Sequence, residues 1–378
     1  MTPDIVHIRS ASATDRCAAG FELDSWPGDE RSAVYRFDDG IDVDRTGDAW
    51  LPAMLPILMS AGRDARFGDP LDALGLANAA LAQDVLRGWH PDLRPVRIYA
   101  DLNGGSVPAP GTGVGCFFSG GVDSFYSVLD RQAEITHLIF VVGFDIDMDD
   151  AELAEKALRG VRAAAEELGK TLVVVRTDVR RLSDRWAAWG DVYHGAALAT
   201  VGLLLAEHVG RVIIPSSYRT DELFPWGTHP ALDPLWSTSR VRFEHHGVER
   251  HRTDKVGAVS SNPVALRHLR VCWENRGGEY NCGECEKCIR TMITLRAYGA
   301  LEQCATLPPE VDPALLRRLR RPSFGVGAFA RENLELLASR HADDPRLVRE
   351  LRALVRRERF WRTARGLRTR LQTKTRTV

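Results

Sequence analysis

Between Val114 and Ser217 four near-continuous apolar runs, VGCFF, HLIFVVGF, TLVVVRT and RVIIPSS, are separated by amphipathic stretches such as AELAEKALRGVRAAAEELG and GAALATVGLLLAEHVG. Strands that are apolar throughout are buried on both faces, and helix-length spacers between them imply crossover connections. That combination predicts an α/β domain built on a parallel, doubly wound sheet. Ligands of such sheets sit outside the carboxyl ends of the strands. The residues that follow each run are therefore where chemistry is expected.

The flanks are less regular. DIVHIRSA, SAVYRF and VRIYADL alternate apolar and polar residues as half-buried strands do, while AWLPAMLPILMSAGR and DPLDALGLANAALAQDVLRGW have helical spacing. Asp69 is placed to cap the second of these helices with Pro70 at its first position, whereas Pro52 and Pro56 weaken the first. NGGSVPAPGTG, from Asn103 to Gly113, reads as a linker. The expected organisation is an N-terminal α+β domain over residues 1–110, the strand-and-helix domain over 111–300 and a helical extension over 301–378. At 378 residues, with 44% hydrophobic and 27% charged, the chain can give these regions proper cores. A formal net charge of -1 provides no general attraction for nucleic acid or membrane. The exception is the end of the chain, where ten basic residues against the single Glu358 follow Leu351. No run approaches the roughly 20 apolar residues of a membrane span, and MTPDIVHIRSASATDR lacks the apolar core of a signal peptide. A cytoplasmic protein without membrane contact is the expectation.

The first apolar run ends in SGGVDS, Ser119 to Ser124. A strand that turns through two glycines into a helix aims backbone N–H groups and a helix dipole at one point, which favours an anion and phosphate above all. Ser119 and Ser124 add hydroxyl donors. The carboxylate of Asp123 makes sense there if Mg2+ accompanies the phosphates. Rival motifs fail on the letters: no lysine follows the glycines as a GxxxxGK[ST] loop requires, Phe117 occupies the first glycine position of GxSxG, and the GxGxxG spacing is absent.

SGGVDS resembles the signature of the PP-loop ATP pyrophosphatase superfamily, which includes asparagine, GMP and NAD synthetases and tRNA-thiolating enzymes. The resemblance implies that a substrate oxygen attacks the α-phosphate of ATP, pyrophosphate leaves, and a nitrogen or sulfur nucleophile displaces the adenylate. Ser119, Gly120, Gly121, Val122, Asp123 and Ser124 would then hold the pyrophosphate portion and Mg2+, with Ser119 and Asp123 at the reacting phosphates. Val142, Gly143 and Phe144, at the end of the next strand, would receive the adenosine. Lys255 resembles a lysine that related enzymes place before their last helix, where it would neutralise charge on the adenylate or pyrophosphate.

The second signal is VCWENRGGEYNCGECEKCIRTM, with Cys272, Cys282, Cys285 and Cys288 in C-x9-C-x2-C-x2-C spacing. Paired C-x2-C steps bring sulfurs within reach of one ion, and the distant cysteine closes a tetrahedron. Zn2+ in a structural role is the expected occupant, with an iron–sulfur cluster as its rival. The two motifs together resemble the 7-cyano-7-deazaguanine synthase family over Val114 to Leu295. That family converts a carboxylate to a nitrile with ATP and ammonia and carries a structural zinc. The chain departs from it at GFDIDMDDAEL after Gly143 and at Tyr193-His194-Gly195, where a deazapurine would be recognised, so the implied substrate is an acid or amide of open identity.

Between the last apolar run and the cysteines lies a polar, aromatic-rich region that could line the substrate pocket. Arg219, Asp221, His229 and Asp233, with His194 at the mouth of a helix, are the candidate substrate-binding residues, each set against the plainer reading of a solvated charge or structural ion pair. The pair His245-His246 could be acid–base groups or metal ligands, and Trp226 and Trp236 could stack on a flat substrate or simply pack. The expected partners are a small-molecule acid or amide and ammonia or an amine donor. Two further readings stay open. One is a tRNA-modifying sulfurtransferase, which would use the basic tail; the other is a non-catalytic ATP-binding subunit of a complex. A homo-oligomer or a partner protein stands among the expected partners on any of these readings.

Overall fold

The computed structural model describes residues 5–12, 15–103, 109–319, 324–341 and 344–375; the side chains of residue 324 and from residue 364 onward lie outside the description. The strands are β1 (Val6–Ser10), β2 (Ala18–Asp24), β3 (Ser32–Phe37), β4 (Ala65–Phe67), β5 (Ile98–Tyr99), β6 (Gly113–Phe117), β7 (His137–Val142), β8 (Thr171–Thr177), β9 (Val209–Pro215) and β10 (Arg242–His246). The helices are α1 (Trp50–Ala61), α2 (Ala73–Trp89), α3 (Val122–Asp130), α4 (Ala151–Glu167), α5 (Val179–Ser183), α6 (His194–Leu204), α7 (Arg252–Ser260), α8 (Pro263–His268), α9 (Glu286–Ala297), α10 (Ala314–Arg318), α11 (Phe324–Ser339) and α12 (Pro345–Thr375). The chain divides into two compact units, Met1–Ser119 with Asp123–Arg250, and Gly120–Val122 with His251–Val378. No helix among the described residues is long and apolar enough to cross a membrane.

The first unit is an α/β layer structure on one ten-stranded, mostly parallel sheet in the order β10-β9-β6-β7-β8-β3-β2-β1-β4-β5. The four apolar runs form β6 to β9 and pair in parallel, with β10 added in parallel at the β9 edge. Both faces are covered, as continuous apolar strands require. Ile139, Val173, Val175, Val212 and Ile214 enter the core shared with α1 and α6. Their buried neighbours Leu138, Phe140, Val174 and Ile213 point to the other face by strand alternation.

The sheet does not stop at the glycine- and proline-rich segment before β6. β3 pairs antiparallel with β8, Tyr35 opposite Thr177 and Phe37 opposite Val175, so strands from the first hundred residues extend the same sheet. Residues on both sides of position 110 belong to one compact unit. The reason is burial: Phe21, Tyr35 and Trp50 share a core with Ala197 and Val201 of α6.

Local details follow the residues. α1 is apolar all round and correspondingly buried, with Ala53, Met54, Leu55, Ile57, Leu58 and Met59 inaccessible. Pro56 inside it costs about 3 kcal/mol, which several buried side chains at about 1.5–3 kcal/mol each outweigh. α2 begins later than its sequence suggested. Asp72 is its cap, accepting from Gly75 N–H, whereas Asp69 accepts from Ser10 N–H at 2.9 Å and ties the segment to β1.

The second unit is helical. α7 packs on α8 and α9, α9 on α11, and α12 on α10 and α11. The backbone of the basic C-terminal segment is helical through Thr375, and Arg376 to Val378 lie outside the described residues.

Candidate functional site

The turn from β6 to α3 is built by apolar anchors on either side of it. Phe118 is 1% exposed, donates its N–H to Ile139 O, and meets Phe125 of α3 edge to face at 4.8 Å. Val122 and Val128 are also fully buried. These contacts fix the strand end and the helix start; of the polar residues between them Ser119 is exposed, Asp123 half-buried and Ser124 buried. Gly120 adopts φ +75°, a left-handed conformation that side-chain-bearing residues resist. Its carbonyl accepts from Arg270 N–H at 2.7 Å. α3 thus opens directly after the glycines with Asp123 in its first turn.

The topology brings a second strand end to this turn. β6 has its successor β7 on one side and β9 on the other, so the sheet order reverses there. Ser217, just after β9, donates its hydroxyl to Asp123 Oδ2 at 3.4 Å. The SGGVDS turn therefore lies at the topological switch point, where open α/β sheets bind ligands.

At the end of β7, Gly143 has φ +105°, and a Cβ there would sit 1.9 Å from Thr177 O. This glycine lets the ends of β7 and β8 approach. Phe144 meets Trp189 edge to face at 5.0 Å and accepts at its carbonyl from Arg180 Nη1 at 2.7 Å, while the Arg180 guanidinium covers Trp189 at 4.6 Å. Beside them opens a cavity of about 530 Å3 lined by Gly143, Phe144, Asp147, Thr177, Asp178 and Arg181 among others. Trp189, Thr177, Asp178 and Arg180 were not singled out from sequence. The rule that ligands gather at strand ends, applied to β8 as well as β7, would have found the last three.

The candidate substrate residues fall into two groups. Arg219 and Asp221 form an ion pair with each other, and Arg219 N–H donates to Glu222 Oε2 at 3.3 Å. Asp233 is fully buried, accepts from His229 N–H at 3.2 Å, and lies 2.6 Å from His245 Nδ1. Burial holds His229 below the ordinary imidazole pKa, with the nearby His245 adding to the effect. His194 adjoins this second group, because Gly195 N–H donates to Gly227 O at 3.0 Å and a Cβ on Gly195 would sit 2.9 Å from Asp233 Oδ1. The neighbouring His246 faces the opposite side of the sheet, within hydrogen-bond reach of Ser127 Oγ at 3.0 Å and Asp130 Oδ2 at 3.1 Å. Both histidines of β10 are thus partnered by side chains that fix their orientation. Trp226 packs over Gly190, where a Cβ would sit 2.3 Å from its ring, and Trp236 is 3% exposed.

In the second unit Lys255, on α7, is 1% exposed. A buried ammonium is tolerable only when paired or hydrogen-bonded. The four motif cysteines of this unit converge: their sulfurs all lie within 4.8 Å of one another, with Cys272 3.4 Å from Cys282 and 3.8 Å from Cys285, and Cys282 4.0 Å from Cys288. Asn275, Cys285 and Cys288 donate backbone N–H groups to Cys272, Cys282 and Cys285 sulfurs respectively. Such bonds favour thiolates and orient them as ligands. Hydrogen bonding from Cys288 lowers the Cys285 thiol pKa, while the same bond raises that of Cys288 and burial raises that of Cys282. This cluster could hold a metal ion. Comparison with family models, curated proteins and solved structures finds no match to this chain.

Proposed function

We propose that the chain is an ATP-dependent synthase of the PP-loop type. A carboxylate or amide oxygen of a small-molecule substrate attacks the α-phosphate of ATP, the bond to the bridging oxygen of pyrophosphate breaks, and ammonia or an amine then displaces AMP. The observation that carries this reading is the position of Ser119–Ser124, a left-handed glycine turn opening a helix at the switch point of a parallel sheet, with Asp123 bridged to the end of β9 through Ser217.

Transfer at phosphorus needs positioning and charge neutralisation more than a protein nucleophile. The backbone N–H groups of the turn and the hydroxyls of Ser119 and Ser124 supply donors to phosphate oxygens. The Asp123 carboxylate is the ligand for Mg2+, which would neutralise phosphate charge when bound. Gly143 and Phe144, bordering the 530 Å3 cavity, suit the nucleoside. Lys255 of α7 is the cation that the resemblance offers for the departing pyrophosphate. Arg219 and Asp221 belong to the loop after β9 and are candidates for substrate contact, whereas buried Asp233 and half-buried His229 brace that loop.

The cysteine set supports zinc. A tetrahedral ion with Zn–S bonds of about 2.3 Å puts its sulfurs about 3.8 Å apart; all four sulfurs lie within 4.8 Å of one another, with three of the pairs at 3.4, 3.8 and 4.0 Å. An iron–sulfur cluster interposes its own iron and sulfide between the thiolates and needs a wider set. With four thiolates the ion has no open position, so its role is structural.

Mass spectrometry of products from the full-length protein with Mg-ATP, ammonium and 7-carboxy-7-deazaguanine, beside an Asp123→Ala control, tests the reading. AMP, pyrophosphate and a nitrile, all absent in the control, are the expected products. AMP and pyrophosphate formed only with other acids or amides would move the substrate and keep the chemistry. ADP and phosphate would overturn it.

A further inference from the structure

α12 carries an unusual division of charge. Between Pro345 and Thr363 it holds seven arginines and two glutamates, and both glutamates are turned inward, Glu350 at 7% and Glu358 at 1% exposure. Leu347, Leu351 and Leu354 share that inner face and are fully buried where α12 packs on α10 and α11. Glu350 pairs with Arg317 and Arg349, and Glu358 with Arg331 and Arg362. Arg357 is turned sideways to donate to the carbonyls of Leu316 and Arg317, closing the end of α10.

The outer face is different. Arg349, Arg352, Arg356 and Arg359 are exposed and, at 100° per residue, lie within about 80° of arc over a length of about 15 Å. Among the described residues no carboxylate pairs with Arg352, Arg356 or Arg359. Phe360, one turn beyond Arg356 on the same side, is 68% exposed. Arg349, 66% exposed, is the one member of the stripe that also reaches a carboxylate, Glu350 at 3.5 Å; a stripe of exposed guanidinium groups of this kind is a footprint for a polyanion. Between Pro345 and Thr363 the apolar face is already covered, so this stretch of α12 cannot lie in a bilayer interface by burying that face, as membrane-surface helices do. An exposed aromatic ring among arginines suits unpaired bases, which stack on it while their phosphates meet the guanidinium groups. Duplex DNA keeps its bases stacked inside and has no use for the ring.

We propose that the outer face of α12 binds single-stranded RNA, with Arg349, Arg352, Arg356 and Arg359 on successive phosphates and Phe360 under a base. This surface lies wholly within the second unit and does not depend on the adenylation chemistry.

The test is fluorescence anisotropy of a labelled oligouridylate of about 20 nucleotides with the full-length protein, at about 50 and 200 mM salt. Four phosphate contacts predict a slope of log affinity against log salt of about −3. Arg352→Gln with Arg356→Gln should weaken binding at least tenfold and bring the slope to about −1.5. The same positions changed to lysine should keep the slope, and both pairs should melt at the wild-type temperature because the replaced groups are exposed. Phe360→Ala should weaken binding of the oligouridylate and leave heparin binding unchanged. Failure to bind at 50 mM salt, undiminished binding by the double glutamine variant, duplex DNA bound as tightly as the oligouridylate, or binding to anionic vesicles in its place would each overturn the proposal.

Discussion

At the scale of single residues, the account rests on positions where only one residue type fits. Gly120 at φ +75° is one. Alanine there costs about 1–2 kcal/mol of strain, and Gly120→Ala should raise the KM for ATP about tenfold, measured by AMP release, with a melting temperature only a few degrees lower. Gly143→Ala should be worse, because its Cβ would meet Thr177 O at 1.9 Å and force apart the ends of β7 and β8. Asp48 offers a test of electrostatics. Burial raises its pKa from 3.8 to about 6 although Asp72 N–H donates to it. The folded chain therefore holds the proton more tightly than the unfolded chain. Its favourable contribution is complete below about pH 4 and is lost as pH rises through about 6. Asp48→Asn should raise stability at pH 7–8 by up to about 3 kcal/mol, two pKa units' worth, and should flatten the pH dependence of denaturant unfolding between pH 4 and 6. An unchanged pH profile would remove Asp48 from the explanation.

At the scale of elements, the apolar strands β6 to β9 were legible because a strand buried on both faces leaves a run of letters that loops and surface helices do not. The strand-to-helix turn at SGGVDS and the convergence of the four cysteines were legible because each leaves a mark in residue spacing. β2 was missed, since AAGFELD mixes small and charged residues, and so was β10, whose RFEHH looks like loop. Its histidines are accommodated by Asp233, Ser127 and Asp130 from elsewhere in the fold, partners that no local pattern reveals. The turn of π-helix at Trp189–Tyr193 was also unforeseen; Gly190 O there accepts from Gly227 N–H at 2.7 Å. The metal element makes its own prediction. Elemental analysis should find one zinc per chain and no visible absorption band, and Cys282→Ala should lose the metal and lower the melting temperature of the second unit. Structural zinc contributes about 10–16 kcal/mol of apparent binding energy in small domains, so the loss should be large.

At the scale of the whole molecule, the glycine- and proline-rich segment before β6, of which residues 104–108 lie outside the described residues, reads as a border because local composition carries no record of what pairs on either side of it. The sheet runs on past it, and the buried ion pair of Arg240 with Asp44, each side chain 4% exposed, joins the first hundred residues to the segment before β10. Arg240→Met should cost about 3–5 kcal/mol by leaving Asp44 buried and unpaired. A chain starting at residue 111 should be insoluble when expressed, because it uncovers the β8 edge and the apolar face beneath Tyr35 and Trp50. A soluble, monomeric fragment would contradict the single-sheet account.

The central claim is that the Ser119–Ser124 turn holds the phosphates of ATP. Isothermal titration of Mg-ATP into the full-length protein and into Asp123→Ala, each with pyrophosphate as competitor, tests it without needing the second substrate. The account predicts one site on the wild-type chain that pyrophosphate displaces, at least tenfold weaker in the variant at an unchanged melting temperature. Equal affinity in the two proteins, or no binding by the wild type, would contradict it.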